Sequence, residues 1–269
     1  MRYHVTVTSG LQAVVRLVRK SPFVVQLEVP VQKVVGVAAR QVARYPSITQ
    51  THVTRTALRK VDLPVIQLVV MPPSGEHITL FLLSNQVPVG TRETWVHALD
   101  PAAPLTWRHY ELVELEGGRL SWRLTRQVRE RYAVQLRRLI TGRGGSNAVL
   151  TPGGLRRQAR YQLRPEVAHQ QVLKLAAHLG RYPGLAGVRR DVFALAQQST
   201  RLWQSTHPQR PHPVWPYQPY LPYLAPRTAL LSELVERGQW GGVDTDHPYV
   251  SGGDVTALEV TEQGGNGGS

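Results

Sequence analysis

Residues 105–140 read LTWRHYELVELEGGRLSWRLTRQVRERYAVQLRRLI, and a change of period inside them decides the fold class. On either side of Gly117-Gly118 the residues have strand character. Two such runs about a Gly-Gly turn predict an antiparallel hairpin of residues 105–116 and 119–124. From Thr125 the period lengthens. Leu124, Val128, Tyr132, Leu136 and Leu139 recur at three- and four-residue steps, which predicts a helix with one apolar stripe. Arg126, Arg129 and Arg137 lie away from that stripe.

Upstream, PVIQLVVM at 64–71 and HITLFLL at 77–83 flank PPSGE, the turn chemistry of another antiparallel hairpin. Strands are also expected at 3–8 and 23–29, and residues 49–61, rich in Thr and Val, read as strand. Helical spacing covers 10–20 and then 31–45, where Pro30 and Pro46 mark the ends. Residues 85–104 read as a long loop. Downstream, 141–154 carry five Gly and one Pro and read as a linker or loop. Helices are expected at 165–179 and 185–206. Strands first and helices later predict an α+β class: an antiparallel sheet with packed helices, then a helical segment and a polyproline II-like arm. The expected divisions are an α+β domain at 1–141, a Gly-rich connection at 142–154, a helical segment at 155–206, the arm at 207–226, and a short helix with an acidic, disordered tail at 227–269.

The chain of 269 residues has a formal charge of +14, distributed unevenly. Residues 1–141 and 142–227 each carry +10, and residues 228–269 carry −6. The densest stretch, 119–164, holds twelve Arg against Glu130 alone. A field of one sign attracts polyanions, and Arg pairs bidentately with phosphate. The phosphate-contact candidates are Arg119, Arg123, Arg126, Arg129, Arg137, Arg143, Arg156, Arg157, Arg160 and Arg164. Arg143 belongs to Gly142-Arg143-Gly144-Gly145, a single RGG-like element. Trp107, Tyr110 and Trp122 interleave with Arg108, Arg119 and Arg123 in the second hairpin. Exposed rings between Arg on a sheet are one way to hold unpaired bases, so these three are candidate stacking residues; core packing is the alternative for each.

Enzyme chemistry has little support in the sequence. Cys is absent, which excludes thiolate nucleophiles and thiolate metal sites. HExxH, a Gly-Lys-Ser/Thr phosphate loop, GxGxxG and GxSxG are all missing. No two of the ten His stand four apart on one predicted helix. Asp244, Asp246 and His247 cluster in the tail and read as solvated. A metal-independent RNA-cleaving enzyme needs a His, a Tyr or Ser, and Arg or Lys. His4 with Tyr3, His52 and Arg55, or His109 with Tyr110 and Arg108, meet that minimum. No catalytic residue, metal or cofactor is assigned. No apolar run is long enough to cross a membrane, and the N-terminus lacks the pattern of a secretory signal.

HPQRPHPVWPYQPYLPYLAP at 207–226 repeats at three residues. Pro213, Pro216, Pro219 and Pro222 form one row, and Tyr217, Tyr220 and Tyr223, led by Val214, form a second. Trp215, Gln218, Leu221 and Leu224 form the third. Three residues per turn is the polyproline II repeat. A rod this apolar is expected to dock, on its own domain or on a protein partner, through Trp215, Tyr217, Tyr220 and Tyr223, with the Tyr rings buried.

YELVELEGGRLSWRLTRQ at 110–127 and RYPGLAGVRRDV at 181–192 resemble parts of uncharacterised proteins of bacterial plasmids and integrating conjugative elements. The resemblance spans about thirty residues and implies a bacterial cytoplasmic protein working near mobile DNA. The expected function is non-catalytic binding of RNA or DNA with low sequence specificity. The alternatives are a metal-independent endoribonuclease and a structural subunit that docks through its proline arm.

Overall fold

The computed structural model describes residues 1–142, 163–220 and 225–238, together with the backbone of 148–150 and 156–158. In chain order the elements are β1 (Arg2–His4), α1 (Val7–Val18), β2 (Phe23–Pro30), α2 (Val34–Arg44), α3 (His52–Lys60), β3 (Ile66–Val70), β4 (His77–Ser84), β5 (Val96–His97), β6 (Thr106–Trp107), β7 (Tyr110–Leu115), β8 (Arg119–Leu124), α4 (Arg126–Thr141), β9 (Ala148–Leu150), β10 (Arg156–Gln158), α5 (Pro165–Gly180), α6 (Ala186–Thr206), β11 (Thr228–Leu230) and α7 (Leu231–Glu236). Every strand pairing is antiparallel, so the fold is α+β as expected.

Both hairpins form where the turn residues place them. β3 and β4 pair across PPSGE, with Leu68 opposite Leu82, and β2 adds to the other side of β4. The sheet order is β3-β4-β2-β5. β7 and β8 pair across Gly117-Gly118, whose φ values of 77° and 71° suit glycine, and β6 completes a three-stranded sheet. β1 is shorter than the expected strand because Thr6 starts a helix: its side chain accepts the Ser9 N–H at 3.3 Å. Residues 49–61 are a correction. They form α3, capped by Thr51 accepting from the Thr54 N–H at 3.2 Å. None of its residues is buried, so its β-branched side chains have no pleated neighbour to pack against.

The main core joins α1, the sheets, α4, α5 and α6 through Val14, Phe81, Trp122, Tyr132, Val172 and Trp203. Residues on both sides of 142–154 thus share one core. β9 and β10, inside the stretch expected to be linker and the start of the helical segment, pair with each other. The chain ends also meet: β1 pairs β11, with Tyr3 opposite Ala229, and α7 packs Leu231 and Leu234 against Val34 and Ala38. The tail expected to be disordered, from 239 onward, lies outside the described residues.

Candidate nucleic-acid interface

α4 turns Val128, Tyr132, Leu136 and Ile140 into the core. Gly142 ends it at φ 66°, donating to the Arg138 carbonyl. The opposite side carries exposed Arg126, Arg131, Arg137 and Arg138. Its one acid, Glu130, is bound to Arg126 at 2.7 Å. The neighbouring helices repeat the pattern. Glu166, the only acid of α5, pairs with Arg210, and Asp191, the only acid of α6, lies 3.4 Å from Arg129. Each acid of the helical layer is therefore engaged by an arginine. Arg137, Arg138, Lys174 and Arg201 have no acidic partner among the described residues.

Two of the expected phosphate contacts are instead internal. Arg123 Nε donates to Glu111 Oε1 at 2.5 Å, and Arg129 reaches both Glu111 and Asp191. Asp191 also accepts the Leu124 N–H at 2.8 Å. Burial pushes its carboxyl above the usual range, and the Leu124 N–H and Arg129 oppose that. This network ties β7 and β8 to α4 and α6, and a half-buried Arg so held has little left to offer a phosphate. Arg119 at the start of β8 and Arg164 before α5 are exposed. The side chains of Arg156 and Arg157, and all of Arg143 and Arg160, lie outside the described residues.

The strand aromatics are core residues, which removes the stacking role expected of them. Trp107, Tyr110 and Trp122 are 2%, 0% and 0% exposed. Register explains it. Tyr110 lies opposite Leu124, Leu112 opposite Trp122 and Glu114 opposite Leu120, so Tyr110, Leu112, Leu120, Trp122 and Leu124 share one face, and that face is the core. The polar atoms are satisfied inside: Trp122 Nε1 donates to the Leu11 carbonyl at 2.9 Å and Trp107 Nε1 to Thr79 Oγ1 at 3.0 Å. α6 lies against β8, where Gly187 N–H donates to Ser121 Oγ at 3.0 Å. A Cβ on Gly187 would stand 2.4 Å from the Trp122 carbonyl oxygen, so only glycine permits this approach.

The small His-centred groupings also resolve into structure. Tyr3 is buried, His4 Nδ1 is 2.7 Å from Ser9 Oγ, and Arg55 donates to Gln67 Oε1 at 3.0 Å. Arg108 stacks 4.4 Å from the Trp107 centroid and donates to the Pro73 carbonyl at 2.7 Å. A different cluster lies where α4 and α5 meet, and sequence spacing did not mark it. Tyr132 OH is 2.9 Å from His178 Nε2 and 2.8 Å from Tyr182 OH. Burial, with the charges of Arg181, Arg131 and His109, holds His178 below the ordinary histidine range. Among the described residues no three His, Asp or Glu side chains gather to hold a metal ion. No described helix is long and apolar enough to cross a membrane.

The proline arm docks on its own domain, with the rows reversed from expectation. Trp215 packs against the main core, and Gln218 is 8% exposed with its Nε2 donating to the Tyr182 carbonyl at 2.7 Å. Val214, Tyr217 and Tyr220 point outward at 82%, 79% and 52% exposure. Trp215 docks by apolar contact, its indole N–H having no hydrogen-bond partner among the described residues, whereas the Gln218 amide is held by the Tyr182 carbonyl. Tyr223, Leu221 and Leu224 lie outside the described residues. No family model matches the chain, and no match was found to any curated protein or solved structure.

Proposed function

We propose that this protein binds nucleic acid without catalysis, through phosphate contacts and therefore with low sequence specificity. The outer face of α4 supports this best: it presents arginines while every acid of the helical layer is tied up in an ion pair. Phosphate contact by exposed guanidinium groups positions a strand without reading its sequence. The resemblance to proteins of plasmids and conjugative elements suits an accessory factor of a mobile element in the bacterial cytoplasm.

Titration against single- and double-stranded DNA and RNA at several salt concentrations tests it. Each neutralised phosphate contributes about −0.9 to the log–log salt slope on duplex DNA. We expect binding to all sequences alike and a slope steeper than about −3. Binding that ignores salt would contradict phosphate contact.

One observation favours a second function, cleavage of RNA without a metal. His178, lowered by burial and then by the charges of Arg181 and Arg131, lies beside Tyr132 and has the character of a general base with cationic neighbours. Cleavage that survives a chelator and is lost in His178→Ala would establish it. An intact RNA substrate after prolonged incubation would exclude it.

A further inference from the structure

Docking of the arm brings an arginine to rings that the sequence leaves without one. The arm runs antiparallel to α6. His212 Nε2 lies 3.1 Å from Ser199 Oγ, and ten residues earlier on α6 Arg189 Nε donates to the Gln218 carbonyl at 3.1 Å. Ten helical residues rise about 15 Å, against about 19 Å for six residues of polyproline II, so the arm lies nearly extended along the helix. Its exposure keeps a three-residue spacing. Its inward row is Trp215 and Gln218; its outward row is Val214, Tyr217 and Tyr220.

The Arg189 guanidinium carbon sits 5.8 Å from the Tyr217 ring centroid and 5.7 Å from that of Tyr220. Its Nε is fixed by the Gln218 carbonyl, and one terminal nitrogen is 3.5 Å from Tyr217 OH. A cation is thus held equidistant from two exposed aromatic rings. Phe193, one turn further along α6, is also exposed. No Asp or Glu occurs from residue 192 to residue 232. Asp191, the nearest acid before that stretch, faces Leu124 N–H and Arg129 instead.

We infer that Tyr217, Tyr220 and Arg189 form a base-stacking platform for single-stranded nucleic acid, each ring taking one base and the guanidinium meeting the phosphate between them. This rests on the nucleic-acid reading and narrows it to single strands. Three polyproline II residues separate the rings by about 9 Å. Bases of a duplex stand about 3.4 Å apart along a strand, so a duplex cannot seat one base on each ring. A proline-recognising protein groove fits less well. Pro216 and Pro219 are exposed, but the outward row pairs aromatic faces with a positive charge in a stretch without acids, which complements a polyanion carrying π-faces. Stacking engages the base rather than the sugar, so DNA and RNA serve alike.

The test compares the wild type with Tyr217→Ser/Tyr220→Ser and with Tyr217→Phe/Tyr220→Phe. The probes are oligo-dT and oligo-rU single strands and a mixed-sequence DNA duplex, read by fluorescence anisotropy at fixed salt. Both rings are exposed, so melting temperatures should agree across the three proteins. The Ser variant is expected to lose about tenfold or more in affinity for both single strands, at roughly a tenfold loss per 1.4 kcal/mol of stacking. The Phe variant should keep that affinity, and duplex affinity should stay within about twofold for all three, because phosphate contacts alone carry it. Single strands carrying 5-iodouridine should crosslink to Tyr217 or Tyr220. A Ser variant that binds single strands like the wild type overturns the platform and assigns the exposed row to a protein groove, while the α4 interface stands. Equal losses on duplex and single strand also overturn it. A wild type that binds none of the probes removes the underlying nucleic-acid reading as well.

Discussion

The second hairpin and the proline arm both set aromatic rings among arginines, yet they put those rings to opposite uses. In the hairpin, Trp107, Tyr110 and Trp122 face the core, and Arg123 crosses to Glu111. In the arm, Tyr217 and Tyr220 face out, and the arginine between them comes from α6. The difference lies in coverage. A strand has two faces, and here the core takes one while α6 lies against β8. A polyproline rod has three, and one row of Trp215 and Gln218 is enough to dock it. Aromatic and basic residues close in sequence therefore say little about an interface until the number of covered faces is known.

The widest separation between the two regions is in stability. Trp122→Ala should cost about 3–5 kcal/mol, because it empties the core and removes the hydrogen bond from the indole to the Leu11 carbonyl. Tyr217→Ala should stay within about 0.5 kcal/mol. Urea melts of the two variants measure both, and similar midpoints would dissolve the contrast. Gly187→Ala probes the α6 contact with the hairpin. It should lower stability by about 1–3 kcal/mol as helix and strand are forced apart, whereas Gly36→Ala on α2, where a Cβ has room, should raise it by about 0.5–1 kcal/mol through helix propensity. If Gly187→Ala melts like the wild type, α6 is not held this close to β8.

A smaller effect concerns the joined chain ends. His4 is pushed down to about 4, from an ordinary 6.5, by burial and then by Arg16. A depressed folded-state value means that the unfolded chain takes up the proton first. The stability this group confers is present above about pH 6.5 and is lost as pH falls toward about 4. His178 and His212 are shifted the same way, so His4→Gln should flatten the melting-temperature profile over this window without abolishing its slope. An unaltered profile would take His4 out of the linkage.

Much of the architecture was legible because period and turn chemistry agree. PPSGE and Gly117-Gly118 close hairpins, and Val128, Tyr132 and Leu136 of the expected stripe lie on α4, though Leu124 ends β8 and Ile140 rather than Leu139 is buried; Pro165 starts α5. α3 misled because Thr and Val at 51–56 favour strand on average, while the Thr51 cap and the absence of any fully buried residue let a helix form. The site was less legible. Twelve Arg in 119–164 mark a basic region, but which of them are free depends on Glu111 and Asp191, and Asp191 arrives from a helix 62 residues downstream of Arg129. Arg189 and His178 were missed for the same reason: their partners, Gln218 and Tyr132, are 29 and 46 residues away. The three-residue period marks the arm but not which row faces the body.

The most direct measurement sets the exposed arginines against the internal ones. Arg137→Ala/Arg138→Ala and Arg129→Ala should be compared by melting temperature and by the salt slope of duplex DNA binding. The account predicts that the first variant melts like the wild type and flattens the slope by about 1–2, for one or two phosphates released. The second should lose stability, since Glu111 and Asp191 lose their shared partner, and keep the slope of the folded protein. A wild-type slope in Arg137→Ala/Arg138→Ala, or a flattened slope at full stability in Arg129→Ala, would contradict an interface on the outer face of α4.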